Sequence, residues 1–120
     1  MNANEIRTYC LSKPGVTEGF PFNESTLVFK VGGKMFLLLD LESQPIVFSA
    51  KANPEWSLEL REKYAQINGA YHMNKTHWHS VLCDGLRREL LLELINHSYD
   101  LVYQSLTKKI KTAIENGDFT

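Results

Sequence analysis

Residues 70–81, AYHMNKTHWHSV, bring three histidines, a lysine and a tryptophan into one short stretch. Side chains of these types can hold a metal ion, transfer a proton near neutral pH, or contact the phosphates and bases of a nucleic acid. They can also fix a turn through hydrogen bonds within a buried network. The sequence around His72, His77 and His79 separates these four interpretations only in part.

A metal site in this stretch would use His77 and His79. Residues at positions i and i+2 of a strand point to the same side, so both imidazoles could reach one ion. His72 across a hairpin, or His97 on a later helix, would supply a third ligand. No cysteine or glutamate stands at ligand spacing nearby, and a single His-x-His pair specifies a site only loosely. We therefore predict no metal site and no cofactor.

Acid–base catalysis would pair one of these histidines with Asp84 or Asp100. The chain has no nucleophile motif, oxyanion loop or phosphate-binding glycine motif to accompany such a pair. Gly32-Gly33 has the pattern of a two-residue hairpin turn rather than of a phosphate-binding loop. We therefore predict that the protein is not an enzyme.

Nucleic-acid binding is the interpretation that uses most of the residues. The stretch mixes hydrogen-bond donors with an aromatic ring, as contacts to phosphates and bases require. Further basic residues would enlarge the patch if the fold brings them together, namely Arg87, Arg88, Lys108, Lys109 and Lys111. The predicted nucleic-acid-binding residues are Lys30, Lys34, Lys51, Lys75, His77, Trp78 and His79.

A purely structural interpretation of the same stretch stays open at the level of sequence. A tryptophan in an alternating strand, such as Trp78, is more often a packing residue than a stacking platform. The polar residues would then form a hydrogen-bonded cluster made of His72, Asn74, His97 and Asp100. The protein would in that case be an interaction module for another protein or a small ligand.

The composition limits the classes of function. A chain of 120 residues, 43% of them hydrophobic and 22% charged, suits one folded domain over residues 1–120. The formal net charge is −1, so DNA binding would need a local positive patch and would be weak and salt-sensitive. No run of about 18 apolar residues predicts a membrane span. The N-terminus lacks a secretory pattern, which favours a cytoplasmic protein, and Cys10 and Cys83 are expected to be buried and reduced.

The first half of the chain must supply most of the sheet. A short helix capped by Asn4 is predicted first, followed by a loop whose Phe20 and Phe22 fold back onto the core. The apolar runs on both sides of Gly32-Gly33 predict a β-hairpin. Pro45 suits the start of a third strand, because its missing N–H costs no ladder bond there.

The second half is predicted to contain most of the helices. Asn53 and Pro54 form the capped start of one helix, and Asn68-Gly69 predicts a turn. Two short strands, AYHM and WHSVLC, are expected around NKTH, followed by a long helix and a basic helix over residues 107–116. This order predicts an α+β fold with a mostly antiparallel sheet of about five strands and helices on one face.

The order and spacing of four segments resemble a known family, the MmcQ/YjbR-like proteins. The segments are KPGVTEGFPF, NPEWSLELREKY, AYHMNKTHWHSV and ELINHSYDLV, and the resemblance runs from residue 3 to residue 111. It implies a CyaY-like fold, and such proteins are often labelled DNA-binding from a double-wing arrangement in that fold. The chain departs from the family pattern at Leu86-Arg87-Arg88, which makes that corner more basic. We therefore expect nucleic-acid binding without catalysis, with an interaction module as the alternative.

Overall fold

The computed structural model describes residues 1–70 and 73–119, which form four helices and one six-stranded antiparallel sheet. The helices are α1 (Ala3–Leu11), α2 (Pro54–Lys63), α3 (Arg88–Gln104) and α4 (Lys108–Glu115). The strands are β1 (Val16–Gly19), β2 (Thr26–Val31), β3 (Lys34–Asp40), β4 (Val47–Lys51), β5 (Ile67–Gly69) and β6 (Trp78–Leu82). They lie in the order β1-β2-β3-β4-β6-β5. The α+β prediction is confirmed, with six strands rather than about five.

The predicted hairpin joins β2 to β3. Gly32 and Gly33 have φ angles of 58° and 84°, the positive values that both central residues of a type I′ turn require. Gly32 is also needed for packing, since an added Cβ would lie 2.6 Å from Leu106 Cδ1. This turn fixes the pairing of Val31 with Lys34 and hence the register of both strands.

A β-bulge near the hairpin is stabilised by a side chain of α3. The register of β2 and β3 shifts between Phe29 and Lys30, which leaves Phe36 as the extra residue. Ser98 Oγ donates to the Phe36 carbonyl and accepts from the Lys51 N–H at 2.8 Å. One buried hydroxyl thus satisfies two backbone groups that the interrupted ladder leaves unpaired.

The core lies between the helices and one face of the sheet. Alternate residues of each strand point to this face, and fully burying one large apolar side chain contributes about 2 kcal/mol. All four helices add buried residues to the same cluster. Its members include Ile6, Leu60, Leu94 and Ile114 from the helices, and Phe29, Leu39 and Phe48 from the sheet. The opposite sheet face, here called the open face, is therefore the one that the helices leave uncovered.

The helix starts follow capping chemistry. Asn53 accepts hydrogen bonds from the N–H groups of Glu55 and Trp56, and Pro54 takes the first helical position, as predicted. The cap of α1 is Asn2, in a capping box with Glu5, and the prediction of Asn4 was wrong by two residues. None of the helices in the two described ranges is long and apolar enough to cross a membrane.

Two predictions about loops were also wrong. Residues 16–19 form strand β1, and Phe20 and Phe22 stay 50% and 60% exposed instead of covering the core. Asn68-Gly69, predicted as a turn, belongs to the edge strand β5. The strand predicted for AYHM falls partly on Tyr71 and His72, which lie outside the described residues.

Candidate nucleic-acid interface

The strand register arranges the side chains of the open face in three rows. Strand neighbours lie about 4.8 Å apart, and rows, two residues apart along a strand, are about 6.6 Å apart. The basic row contains Lys30, Met35, Lys51 and Trp78. The middle row contains Val28, Leu38, Ser49 and Ser80. The acidic row contains Thr26, Asp40, Val47 and Leu82.

Charges are separated along the strand direction. Lys30 and Lys51 are half-buried in the basic row, and the exposed Lys34, Lys75 and His77 lie in the turn and loop at the same end of the sheet. The opposite end carries exposed carboxylates, namely Glu24, Asp40, Glu42 and Asp84. A chain with a formal net charge of −1 thus presents cations at one end of its sheet. The fold brings together five of the seven predicted binding residues there.

The other two predicted binding residues, Trp78 and His79, are buried. Trp78 is 9% exposed, and His79 is 0% exposed and pairs with Ala50 on the helix-covered face. Neither ring is available to a nucleic-acid base in this structure. Strand β6 begins only at Trp78, so the exposed His77 does not share a face with His79. The strand geometry assumed for a His77–His79 metal pair is therefore absent.

His79 belongs to a buried hydrogen-bonded network, as the structural interpretation of the stretch allowed, but its partners Ser57 and Arg61 were not predicted. Its Nδ1 lies 3.1 Å from Ser57 Oγ, which also accepts a hydrogen bond from Arg61 Nε at 3.1 Å. The Ser57 hydroxyl can accept from Arg61 and donate to an unprotonated Nδ1. This arrangement suits a neutral imidazole, whose buried Nε2 has no hydrogen-bond partner among the described residues. Burial lowers the pKa of His79 to about 4, and electrostatic interactions with Arg61 and His97 lower it further. The i, i+4 spacing of Ser57 and Arg61 was the only sequence signal for this network.

Arg61 extends this network to the loop before β6. Its Nη2 donates to the carbonyl of Lys75 at 2.6 Å, so α2 holds the backbone of the segment that carries Lys75 and His77. Asn74 Oδ1 accepts from the Thr76 N–H at 2.9 Å and fixes the turn within that segment. The basic loop is therefore anchored to the helical layer at its backbone.

The predicted polar cluster does not form as one unit. His97 Nε2 accepts from the Asn53 N–H at 2.9 Å, and its ring contacts Trp56 at a centroid distance of 4.4 Å. Burial lowers the pKa of His97, although Asp100 and Glu93 act in the opposite direction. Asp100 is exposed. Asn74 stabilises the turn of its own loop by accepting from the Thr76 N–H. His72 lies outside the described residues.

The two cysteine thiols and the metal-ligating side chains are further groups that could carry chemistry. Cys10 and Cys83 are both free and buried, as predicted. Burial raises the pKa of Cys10 to about 12 and that of Cys83 to about 11, which keeps both as unreactive thiols at neutral pH. Over residues 1–70 and 73–119, no group of three or more His, Cys, Asp or Glu side chains is placed to hold a metal ion.

A second surface feature lies between α1 and the acidic end of the sheet. A cavity of about 570 Å³ has Leu27 and Leu39 among its lining residues, with Phe20 and the 38% exposed Leu41. The cavity is also lined by an ion pair in which Arg7 donates to both carboxylate oxygens of Glu18, at 2.7 and 2.6 Å. The site is apolar with one bidentate charged pair, a composition that small-ligand pockets share.

Comparisons with known sequences agree with this architecture. Residues 11–101 match the protein-family model described as YjbR. The uncharacterised protein YbdF of Escherichia coli O157:H7 is 38% identical over 109 residues, which is 89% of this chain and 88% of that protein. The uncharacterised protein YjbR of Escherichia coli K12 is 31% identical over 101 residues, 82% of this chain and 85% of that protein.

Solved structures show the same fold. A Deinococcus radiodurans protein with a DUF419 domain superposes with a TM-score of 0.89 at 38% identity, over 99% of this chain and 91% of that one. A Pseudomonas syringae protein superposes with a TM-score of 0.73 at 28% identity, over 85% of this chain and 99% of that one. The family match takes in all six strands, and therefore the whole of the open face.

Proposed function

This protein belongs to the YjbR family, and we propose that it binds nucleic acid, without catalysis, at the basic end of its open sheet face. Its named relatives are uncharacterised, so the proposal rests on the geometry of this chain. One observation carries it: the register gathers Lys30 and Lys51 on one row, at the end of the sheet that also bears Lys34, Lys75 and His77. The proposal takes the protein to act in the cytoplasm.

Binding is expected to occur through phosphates. Lys30 and Lys51 are two strands apart, about 10 Å, on the face that the helices leave uncovered, and Met35 is the cross-strand partner of Lys30. Lysine ammonium groups on such a row contact phosphate oxygens as point charges, which gives affinity with little sequence preference. Because Trp78 is buried, base stacking on its ring is not part of the proposal.

The experiment is a fluorescence-anisotropy titration of labelled duplex and single-stranded DNA at several salt concentrations. Four phosphate contacts predict a slope of log affinity against log salt of about −3.6 for duplex and about −2.8 for a single strand. Binding that is absent even at the lowest salt would overturn the proposal.

A double variant tests whether the basic row is the surface that binds nucleic acid. Lys30→Gln with Lys51→Gln removes two phosphate contacts, which should weaken binding at least tenfold and make the salt slope shallower by about 1.8 for duplex and about 1.4 for a single strand. The matched control, Lys63→Gln with Arg87→Gln, removes the same charge from exposed positions away from the basic row. Equal losses of affinity in both double variants would mean that net charge alone, and not the basic row, drives binding.

The cavity beside α1 favours a second candidate function, binding of a small apolar ligand. Its volume of about 570 Å³ lies within the range of small-molecule pockets, and its ion pair offers one polar anchor. An anilinonaphthalene sulfonate dye should gain fluorescence with the native protein and lose most of that gain in Phe20→Ser. Phe22→Ser, which alters an exposed phenylalanine outside the cavity lining, is the matched control. Equal dye signals in the two variants would count against this function.

A further inference from the structure

The open face contains a groove next to the basic row. Its volume is about 220 Å³, below the range of drug-sized pockets and suited to one planar ring system. It is built from the middle and acidic rows, so its nearer wall begins about 6.6 Å from the row of lysines. Its principal walls are Leu38, Asp40, Val47, Ser49, Met73 and Ser80.

The main polar groups of the groove are two serine hydroxyls and one carboxylate. Ser49 and Ser80 are direct cross-strand partners, so their Cβ atoms lie about 5 Å apart and their hydroxyls open onto the same space. Asp40 contributes a carboxylate, one oxygen of which accepts from the Glu42 N–H at 3.0 Å. A carboxylate has about four acceptor positions, so Asp40 can also accept hydrogen bonds from a ligand. Leu38, Val47 and Met73 offer apolar surface to the faces of a ring.

We propose that this groove takes one unstacked base of a single-stranded nucleic acid whose phosphates lie on the basic row. The inference rests on the proposed function and names its substrate class. Charge complementarity selects this occupant, because an anionic phosphate meets Lys30 and Lys51 while the attached base reaches the neighbouring rows. The base would lie between the middle row, about 6.6 Å from the lysines, and Asp40 in the acidic row, about 13 Å from them.

A single strand fits this arrangement better than a duplex does. In a duplex the base would have to be flipped out of the stack, which costs a few kcal/mol, whereas the bases of a single strand are already free to splay out. The Asp40 carboxylate accepts hydrogen bonds and donates none at neutral pH. It therefore favours a base with an exocyclic amino group, such as cytosine, over thymine, whose ring edge is mostly carbonyl.

The test measures the affinity of labelled dC12, dT12 and a 12-base-pair duplex by fluorescence anisotropy at low salt. Wild-type protein should bind dC12 at least fivefold more tightly than dT12, and the duplex more weakly than dC12. Asp40→Asn should reduce the dC12-to-dT12 ratio to about 1 while keeping the acceptor for the Glu42 N–H. Glu42→Gln makes the same change in charge two residues away, outside the groove lining, and should keep the wild-type ratio.

The outcomes separate this inference from the proposed function. Binding of all three probes with no preference for dC12, or with an unchanged preference in Asp40→Asn, would overturn the base-binding groove alone. Preference for the duplex over both single strands would overturn it as well. Binding of none of the probes would overturn the proposed function and, with it, the groove. A reduced ratio in Asp40→Asn but not in Glu42→Gln would support the inference.

Discussion

Replacing His79 by glutamine should make the stability of the protein less sensitive to acid. His79 is 0% exposed, and its Nδ1 lies 3.1 Å from Ser57 Oγ. Burial is the main cause that lowers its pKa from 6.5 to about 4, followed by electrostatic interactions with Arg61 and His97. The folded state therefore keeps this imidazole neutral at a pH where the unfolded chain protonates it.

The magnitude follows from the difference between the two pKa values. Below pH 6.5 the unfolded chain binds a proton at His79, whereas the folded state does not bind it until about pH 4. The free energy of unfolding therefore falls as the pH falls through this interval. A shift of one unit corresponds to about 1.36 kcal/mol, which gives a full loss of about 3 kcal/mol. Integration between pH 7 and pH 5 assigns about 2 kcal/mol of that loss to His79.

The assay is urea unfolding at pH 7, 6 and 5, with the free energy of unfolding compared within each variant. His79→Gln removes the titrating group, so its decrease from pH 7 to pH 5 should be about 2 kcal/mol smaller than in the wild type. The pKa values of Glu5 and Glu18 are lowered by ion pairs from 4.5, so their contributions are lost mainly below this window. His97→Gln removes a second histidine whose pKa burial lowers and should have a smaller effect, since His97 is half-buried and has acidic neighbours.

Parallel curves for the wild type and His79→Gln would refute this reasoning. They would mean that the unfolded and folded chains bind the same number of protons at His79, which a neutral buried imidazole does not allow. Because only the difference between two pH values is compared, any loss of packing that glutamine causes at pH 7 cancels. A decrease that is instead abolished in His97→Gln would assign the acid sensitivity to the cap of α2.

Three further predictions test the elements that hold the open face, each by the change in free energy of unfolding in urea. Gly32→Ala should cost about 3 kcal/mol, because the added methyl group meets both a positive φ and a leucine methyl group at 2.6 Å. Gly33→Ala, which meets the positive φ alone, should cost about 1 kcal/mol. Equal losses of stability in the two variants would contradict the packing argument. Ser98→Ala should cost about 2 kcal/mol by leaving buried backbone groups unpaired, and a loss near zero would refute the bridging role. Asn53→Ala should cost about 1 kcal/mol through the lost cap of α2, and unchanged stability would show that the cap is dispensable.

Local signals in the sequence predicted much of the fold. Gly32-Gly33 predicts its turn because few other residue pairs take two positive φ angles, and Asn53-Pro54 predicts a helix start because both residues suit its first positions. Strand β1 was not predicted because it has only four residues, of which Glu18 and Gly19 are poor strand formers, and because it is defined by its pairing with the distant β2. The order of the strands in the sheet could not be predicted either, because it depends on pairing between distant parts of the chain.

The candidate site was less predictable because it depends on which face each residue occupies. Strand β6 starts at Trp78, and since side chains alternate along a strand, the position of that start puts His79 in the core. The alignment of Lys30 with Lys51 depends on the pairing of β2, β3 and β4 and on the bulge at Phe36. No spacing within the sequence gives that alignment.

The charge separation on the sheet also limits how a nucleic acid can lie on it. A strand running parallel to the β-strands would pass from Lys30 to Asp40 within two row steps, about 13 Å, and so from attraction to repulsion. A strand running across the sheet would stay on the basic row from β2 to β6, over about 14 Å, with its bases directed towards the groove. Because the net charge of −1 provides no general attraction, only the crosswise path gathers several phosphate contacts at once. Under the proposed function, the same separation of charge predicts a short footprint and a base directed from the basic row towards Asp40.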